Sequence, residues 1–360
     1  MEDLVEAIIN KAMHGKSLFL EHHRGDLLAL SGGECLLAKV LNRVCVTTSA
    51  LSISDLVLAG TVLEQYNVNV LVQVLQATLP RFTGLIFLDL SDNNLGLHGT
   101  QALRGVMSSL TDLIELNYAN NGIGTMGMQA LGLDSFTNLH ELRLSGNQLQ
   151  APASGLLAEV LPMMTQLYVL ELDDNELGVD GMELLAPALT SLPALIWVNL
   201  RNNELTARGV QVLQGVLPSL PNLTWLNLSE NELGAGAPMM ARTLPFMSNL
   251  TTLKLSWNDF GAHGLQALAQ PLLSLTNLTA LIMCAPDSPT HVDWQVATGM
   301  EIPNDRLVSG WMETFQFVWD VWMRQTRSVA FAMGLHGRLG QGTYARCLDE
   351  ELLRIVLEKM

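Results

Sequence analysis

The chain has 360 residues and a formal charge of −16 at neutral pH, a balance that excludes a nucleic-acid backbone or an anionic membrane surface as partner, because phosphate recognition needs clustered Lys and Arg. Apolar residues make up 49% of the chain and charged residues only 15%, lean beside the usual quarter, so much of the chain must be buried. A length of this kind suggests two or three globular domains, but internal repetition replaces that expectation with a count of repeats.

The opening, Met1 to Ala7, lacks the basic start and apolar run of a signal peptide, and no apolar stretch is long enough to span a membrane. A cytoplasmic setting is expected. The spacing of Leu4, Ile8 and Ile9 predicts a helix over 3–13, stopped by Gly15. Residues 16–50 read as a degenerate first repeat, with Leu18 and Leu20 in a strand and Glu34 to Leu41 in a helix after Ser31-Gly-Gly. Residues 1–50 are thus expected to form an N-terminal cap, since a terminal repeat must shield the core end. A better match follows at Ile53, Leu56, Leu58 and Leu63, with an insertion near Tyr66 to Asn69.

From Leu85 the chain becomes regular. The pattern L-x-x-L-x-L-x-x-N-x-L starts at Leu85, Leu113, Leu139, Leu167, Leu195, Leu223 and Leu250, with Asn93, Asn121, Asn147, Asn175, Asn203, Asn231 and Asn258 at the Asn position. Leu139, Leu167 and Leu195 give the period, 28 residues. The L-x-L alternation puts two leucines on the buried face of a short strand and their neighbours on the open face. The Asn stands where the chain leaves the strand, with an amide able to pair backbone groups that a turn orphans. Further on, a small residue (Gly99, Gly127, Ala153, Gly181, Gly209, Ala237, Gly264) opens an amphipathic helical stretch. Strands stack about 4.8 Å apart and helices are about 10 Å wide, so such a stack curves with parallel strands on its concave side and helices on its convex side.

This strand-helix repeat resembles the ribonuclease-inhibitor type of leucine-rich repeat, found also in the GTPase-activating protein for Ran and in NOD-like receptors. The resemblance runs over roughly residues 51–285 and implies an α/β solenoid, a right-handed horseshoe. The chain has only four cysteines, whereas ribonuclease inhibitor itself is rich in them.

The register identifies the outward residues of each strand. Before the middle leucine they include Phe87, Glu115, Glu141, Val169, Trp197 and Trp225; after it come Asp89, Asn117, Arg143, Glu171, Asn199, Asn227 and Lys254; at the strand exit follow Asp92, Asp173, Asp174, Arg201 and Trp257. Trp197 and Trp225 share one register position on consecutive strands and are expected side by side and exposed. Trp and Arg are typical of interface hot spots, and Asp89, Asp92, Glu115, Glu141, Glu171, Asp173 and Asp174 form an acidic tract beside them. The cluster Asp173-Asp174-Asn175-Glu176 reads as a solvated repeat turn, with a calcium site the alternative.

After a last strand at Leu278 to Met283 the chain breaks at Cys284-Ala-Pro. Residues 286–306 read as a loop and 307–360 as a helical C-terminal segment, in which Trp311, Phe315, Val318, Trp322, Val329 and Met333 form an aromatic stripe expected to cap the last repeat. Leu339-Gly-Gln-Gly-Thr-Tyr-Ala345 is similar to the glycine-rich loop of protein kinases, but the fifteen residues after it cannot hold the rest of such a domain. Cys35, Cys45, Cys284 and Cys347 are scattered and suggest neither disulfides nor zinc. The sequons at Asn222, Asn227, Asn249 and Asn277 arise mostly from repeat chemistry. The last fourteen residues, from Cys347, are similar to the opening helix of an F-box.

No catalytic, metal or cofactor constellation emerges. The expectation is a monomeric, non-enzymatic module that binds a protein ligand, its basic character favoured by charge, on the concave face. Two alternatives stand beside it: a ubiquitin-ligase adaptor working through the last helix, and a GTPase activator of the Ran type.

Overall fold

A computed structural model describes residues 54–60 and 65–283, with short N-terminal stretches at 17–19, 30–31, 34–35, 37–38 and 40–41. The expected helix at 3–13, the loop at 286–306, the aromatic stripe and the F-box-like helix lie outside the described residues. The described residues fall into two compact units, one ending at Asn203 and the other starting at Glu204.

In the first unit the strands are β1 (Ser17–Phe19), a hairpin of β2 (Leu30–Ser31) and β3 (Glu34–Cys35), β4 (Asp55–Val57), β5 (Phe87–Asp89), β6 (Glu115–Asn117), β7 (Glu141–Arg143), β8 (Val169–Glu171) and β9 (Trp197–Asn199). Helices α1 (Gln65–Thr78), α2 (Gly96–Met107), α3 (Gly124–Leu131), α4 (Gln150–Val160) and α5 (Gly178–Thr190) alternate with the strands from β4 onward. The strands other than the hairpin form a parallel sheet in the order β1-β4-β5-β6-β7-β8-β9, with the middle leucines Leu88, Leu116 and Leu142 facing one another in register. The second unit repeats the plan with α6 (Thr206–Val216), β10 (Trp225–Asn227), α7 (Ala237–Thr243), β11 (Thr252–Lys254), α8 (Gly261–Leu273) and β12 (Ala280–Ile282). Its strands are parallel in the order β10-β11-β12. Both units therefore have the construction of a leucine-rich repeat solenoid.

Two local readings change at the N-terminal side. Glu34 and Cys35 form a strand rather than the start of a helix, paired antiparallel with Leu30 and Ser31. The two residues that separate these strands in sequence are glycines, a composition that two-residue hairpin connections favour. The insertion near Tyr66 falls within α1, which runs to 14 residues.

The strands β5 to β9 bury their middle residue and leave both neighbours half-buried on the open side, as Leu170 stands between Val169 and Glu171. At the next inward position stand Leu90, Leu144 and Leu172, but Tyr118 replaces leucine in β6's repeat and is fully buried. Its hydroxyl lies 3.1 Å from Thr100 Oγ1, so the one polar atom of the ring is satisfied. The small residue that opens each helix has a steric basis too: a side chain at Gly181 would run into Ser154 Oγ and Ala151 of the preceding helix.

The Asn column holds the repeats together. Asn175 is fully buried; its Nδ2 donates to Leu172 O and Asp173 O in its own turn and to Leu144 O one repeat earlier, while its Oδ1 accepts from Asn147 N at 2.9 Å. Asn93, Asn121 and Asn147 repeat the arrangement. Each amide thus closes its own turn and ties it to the preceding one. The turn forces the residues on both sides of the Asn into the left-handed region: Asp92 and Asn94, Asp174 and Glu176, Glu230 and Glu232. Side chains pay about 1 kcal/mol or more there, which the ladder offsets.

Replacing Asn175 by Ala takes one of two donors from Leu144 O, Leu172 O and Asp173 O, which keep Asn147 Nδ2, Asn203 Nδ2 and Gly146 N, and it strips the buried Asn147 N–H of its acceptor; the expected loss is about 2 kcal/mol. Asn175→Asp should cost at least as much, because a carboxylate substitutes an acceptor for the donor those carbonyls need. Equilibrium denaturation of the two variants checks both the size and the order.

Candidate functional site

The open face of the first unit's sheet is laid out in columns, because parallel strands in register bring equivalent residues of successive repeats side by side. One column begins Phe87, Glu115, Glu141, Val169, Trp197; the next runs Asp89, Asn117, Arg143, Glu171, Asn199. Glu115 is paired directly with Glu141. Like charges directly opposite one another destabilise a sheet, so stability does not explain the pair.

Neighbouring repeats orient many of the carboxylates. Asp89 accepts from Asn117 Nδ2 at 3.0 Å and from Ser91; Asp92 accepts from Asn120, and Asp174 from Asn202 at 2.7 Å. Asp173 accepts from Ser145 and from Asn199 Nδ2. Arg143 is the cation of the inner columns: its guanidinium bonds Glu141 and comes within 3.6 Å of Glu171. Arg201 reaches Asp174 at 3.5 Å. Tyr168 donates its hydroxyl to Glu141 at 2.9 Å.

Burial and crowding act on these acids. Desolvation raises the pKa of Glu115 from its ordinary value, with repulsion from Glu141 adding to it and Arg143 opposing. Glu171 is raised by burial, against the pull of Arg143 and a hydrogen bond from Trp197 and with repulsion from Asp173. Asp173 is raised by burial and by Asp174, against its bond from Ser145. The acidic face thus holds several carboxylates whose ionised form is costly in the folded chain.

Most of the outward residues read from the register do lie on the open face, but with less exposure than expected. Trp197 is half-buried, and its indole N–H interacts with Glu171 rather than with solvent. Trp225, in the second unit, is also half-buried, with Lys254 Nζ 5.4 Å from its ring centroid. Trp197 belongs to the first unit and Trp225 to the second. Asn227 is buried, as are Ser91 and Ser229, and its amide oxygen accepts from Ser229 N at 3.0 Å. The cluster at 173–176 does not converge as a whole: Asp173 and Asp174 are held on the open face by Asn199 and Asn202 of the next repeat, while Asn175 points into the core and Glu176 to solvent. Among the described residues no group of His, Cys, Asp and Glu is arranged to hold a metal.

Sequence reasoning missed one further column, the residues just before the strands: Ile86, Ile114, His140, Tyr168 and Ile196. Backbone bonds link them in series, from Ile114 N to Ile86 O through to Ile196 N to Tyr168 O at 2.9 Å. Ile86 and Ile196 are exposed, and the rings of His140 and Tyr168 lie 5.6 Å apart. The signal was present in L-x-x-L, whose two leucines both point inward and leave both x positions outside.

A family model described as Leucine Rich repeat matches residues 246–269. Among solved structures, the chain is similar to actin-binding site 2 of leiomodin-1, at 18% identity and a TM-score of 0.32, covering 38% of this chain and 77% of that one. It is also similar to the leucine-rich repeat-containing protein LegL7 from Legionella pneumophila, at 20% identity and a TM-score of 0.39, covering 72% of each chain. No curated protein matches. The match to the repeat model is confined to a single repeat of the second unit, and among the described residues no helix is long and apolar enough to cross a membrane.

The raised acid at Glu171 fixes a sign. A carboxyl whose folded pKa lies above its unfolded one contributes stability below the unfolded pKa and loses it as pH rises through the folded value. Glu171→Gln, which keeps an acceptor for Trp197, is therefore expected to unfold at higher denaturant than the parent at pH 7. The difference should close as pH falls below the usual carboxylate range, and midpoints measured across that range check it.

Proposed function

We propose that this chain is a protein-interaction module whose first unit takes a basic protein ligand on its open strand face. The observation that carries the reading is the in-register pair Glu115 and Glu141, two acids placed against each other on a half-buried surface at a cost to the free protein. A cationic side chain arriving between them relieves that repulsion, so part of the binding energy comes from strain already present. Composition points the same way: residues 54–203 carry fifteen acidic against four basic side chains, whereas 204–283 carry four against three.

The mechanism is recognition with no chemical step. Asp89, Asp173 and Asp174 are already held by Asn and Ser donors of their own or neighbouring repeats, so little side-chain entropy is lost when a partner binds. The field of the acids speeds encounter, and Trp197 offers apolar area at the end of the same columns. Arg143, clamped between Glu141 and Glu171, illustrates the geometry in which an incoming guanidinium fits. In this reading the repeats are of the ribonuclease-inhibitor type, supported by the 28-residue spacing of Leu139, Leu167 and Leu195. The protein acts as a monomer in the cytoplasm, with scattered cysteines in keeping with a reducing compartment.

The test is binding of a fluorescent Arg-rich peptide to the full chain at low and moderate salt, beside the double variant Glu115→Gln with Glu141→Gln. Affinity is expected to drop about tenfold in the variant and to fall with salt in the parent. An equally charged acidic peptide binding as tightly as the basic one, or a variant that binds unchanged, would end the proposal.

A further inference from the structure

Resting on the reading of the acidic face as a site for a basic ligand, the structure assigns that ligand a shape: we propose that the bound segment is an amphipathic cationic helix lying across the strands. Its apolar side would rest on the column Ile86, Ile114, His140, Tyr168 and Ile196, and its basic side on the carboxylates next to that column.

The column is what carries the inference. Five large apolar side chains are exposed among the described residues of the first unit, and two of them, Ile86 at 38% and Ile196 at 42%, occupy the same register position four repeats apart. The positions between them are half-buried isoleucine and a tilted pair of rings. A solvent-facing edge gains nothing in stability from isoleucine, and a row of three isoleucines and two rings beside a charged belt is the signature of a contact surface.

Dimensions select a helix. Four strand spacings of about 4.8 Å give the row a length of about 19 Å, which about 13 residues of α-helix span. From Ile86 to Asp89 the chain advances three residues, about 10 Å, close to the width of a helix with its side chains. One helix laid along the row therefore covers the apolar column and both acidic columns at once. An extended segment puts alternate side chains on opposite faces and presents only one of them to the sheet. Charge complementarity fixes the sign: Glu115, Glu141 and Glu171 flank the row, and Glu141 is bonded to Tyr168 within it.

The test uses the full chain and two labelled peptides of about 14 residues with identical composition, one with Leu on one helical face and Arg on the other, the second with the same residues scrambled. The segregated peptide is expected to bind about tenfold tighter and to gain helical circular dichroism on binding. Ile86→Ser with Ile196→Ser should reduce its affinity to that of the scrambled peptide while leaving the thermal midpoint unchanged. Equal binding of both peptides, or a bound peptide without helix, overturns this inference and leaves the basic-ligand reading standing. Loss of binding with Met126→Ser and Met163→Ser in place of the isoleucine variant also overturns it. If neither peptide binds, the basic-ligand reading itself fails.

Discussion

The buried Asn column is the constraint on which the rest of the molecule depends. Each amide must find carbonyls for its hydrogens inside a dry core, and it finds them in its own turn and in the turn before. That dual demand fixes where each strand ends, how its turn is wound and how far one repeat is displaced from the next. The left-handed residues on either side of the Asn are its consequence. They are tolerated because the alternative is a buried amide and several carbonyls without partners, a larger penalty than the backbone strain.

Once turn and register are fixed, the open face has no freedom of its own. Outward side chains stand in columns whose spacing is that of the sheet, so a substitution in one repeat always acts on its counterparts next door. The Asp–Asn bonds between repeats exploit this, orienting carboxylates before any ligand arrives. The Glu115 and Glu141 pairing shows the opposite use of the same register. A sheet selected for stability alone would place Lys or Thr across from Glu; here burial and repulsion together raise the acid instead.

How much of this the sequence carried follows from what each residue answers to. Leu88, Leu116, Leu142 and Leu170 answer to the core, and their spacing alone gave strand, face and period. Asn175 was legible as a turn amide, but its bond to Leu144 O one repeat back was not, since nothing local distinguishes a donor used within a turn from one used between turns. Glu34 and Cys35 were misread because two glycines stop a helix and make a hairpin equally well. The exposure of Trp197 and Asn227 was overestimated for a related reason: parity says which side of a strand a residue is on, not what its side chain does there. Trp197 folds toward Glu171, and Asn227 turns back on its own backbone. The row from Ile86 to Ile196 went unseen because an alternation with period two, extended back past the strand's first residue, assigns that position to the core. The strand begins only after it.

The second unit uses the same scaffold under different rules. Its described residues are nearly balanced in charge, and its open face is organised by aromatics, with Lys254 over the ring of Trp225, worth about 0.5–1 kcal/mol at an exposed site. Trp257 makes the point most sharply. It occupies the left-handed position before the buried Asn, φ +59°, where other repeats place Asp92, Asn120, Gly146 and Asp174. Short polar residues and glycine suit that conformation, and a bulky aromatic there is an outlier that costs stability. The turn itself is secured by Asn258, which bonds Leu228 O, Leu255 O and Ser256 O as its counterparts do in other repeats. With the backbone held from the core side, the residue at 257 is released from serving the fold, and its identity can be set by what the surface has to touch.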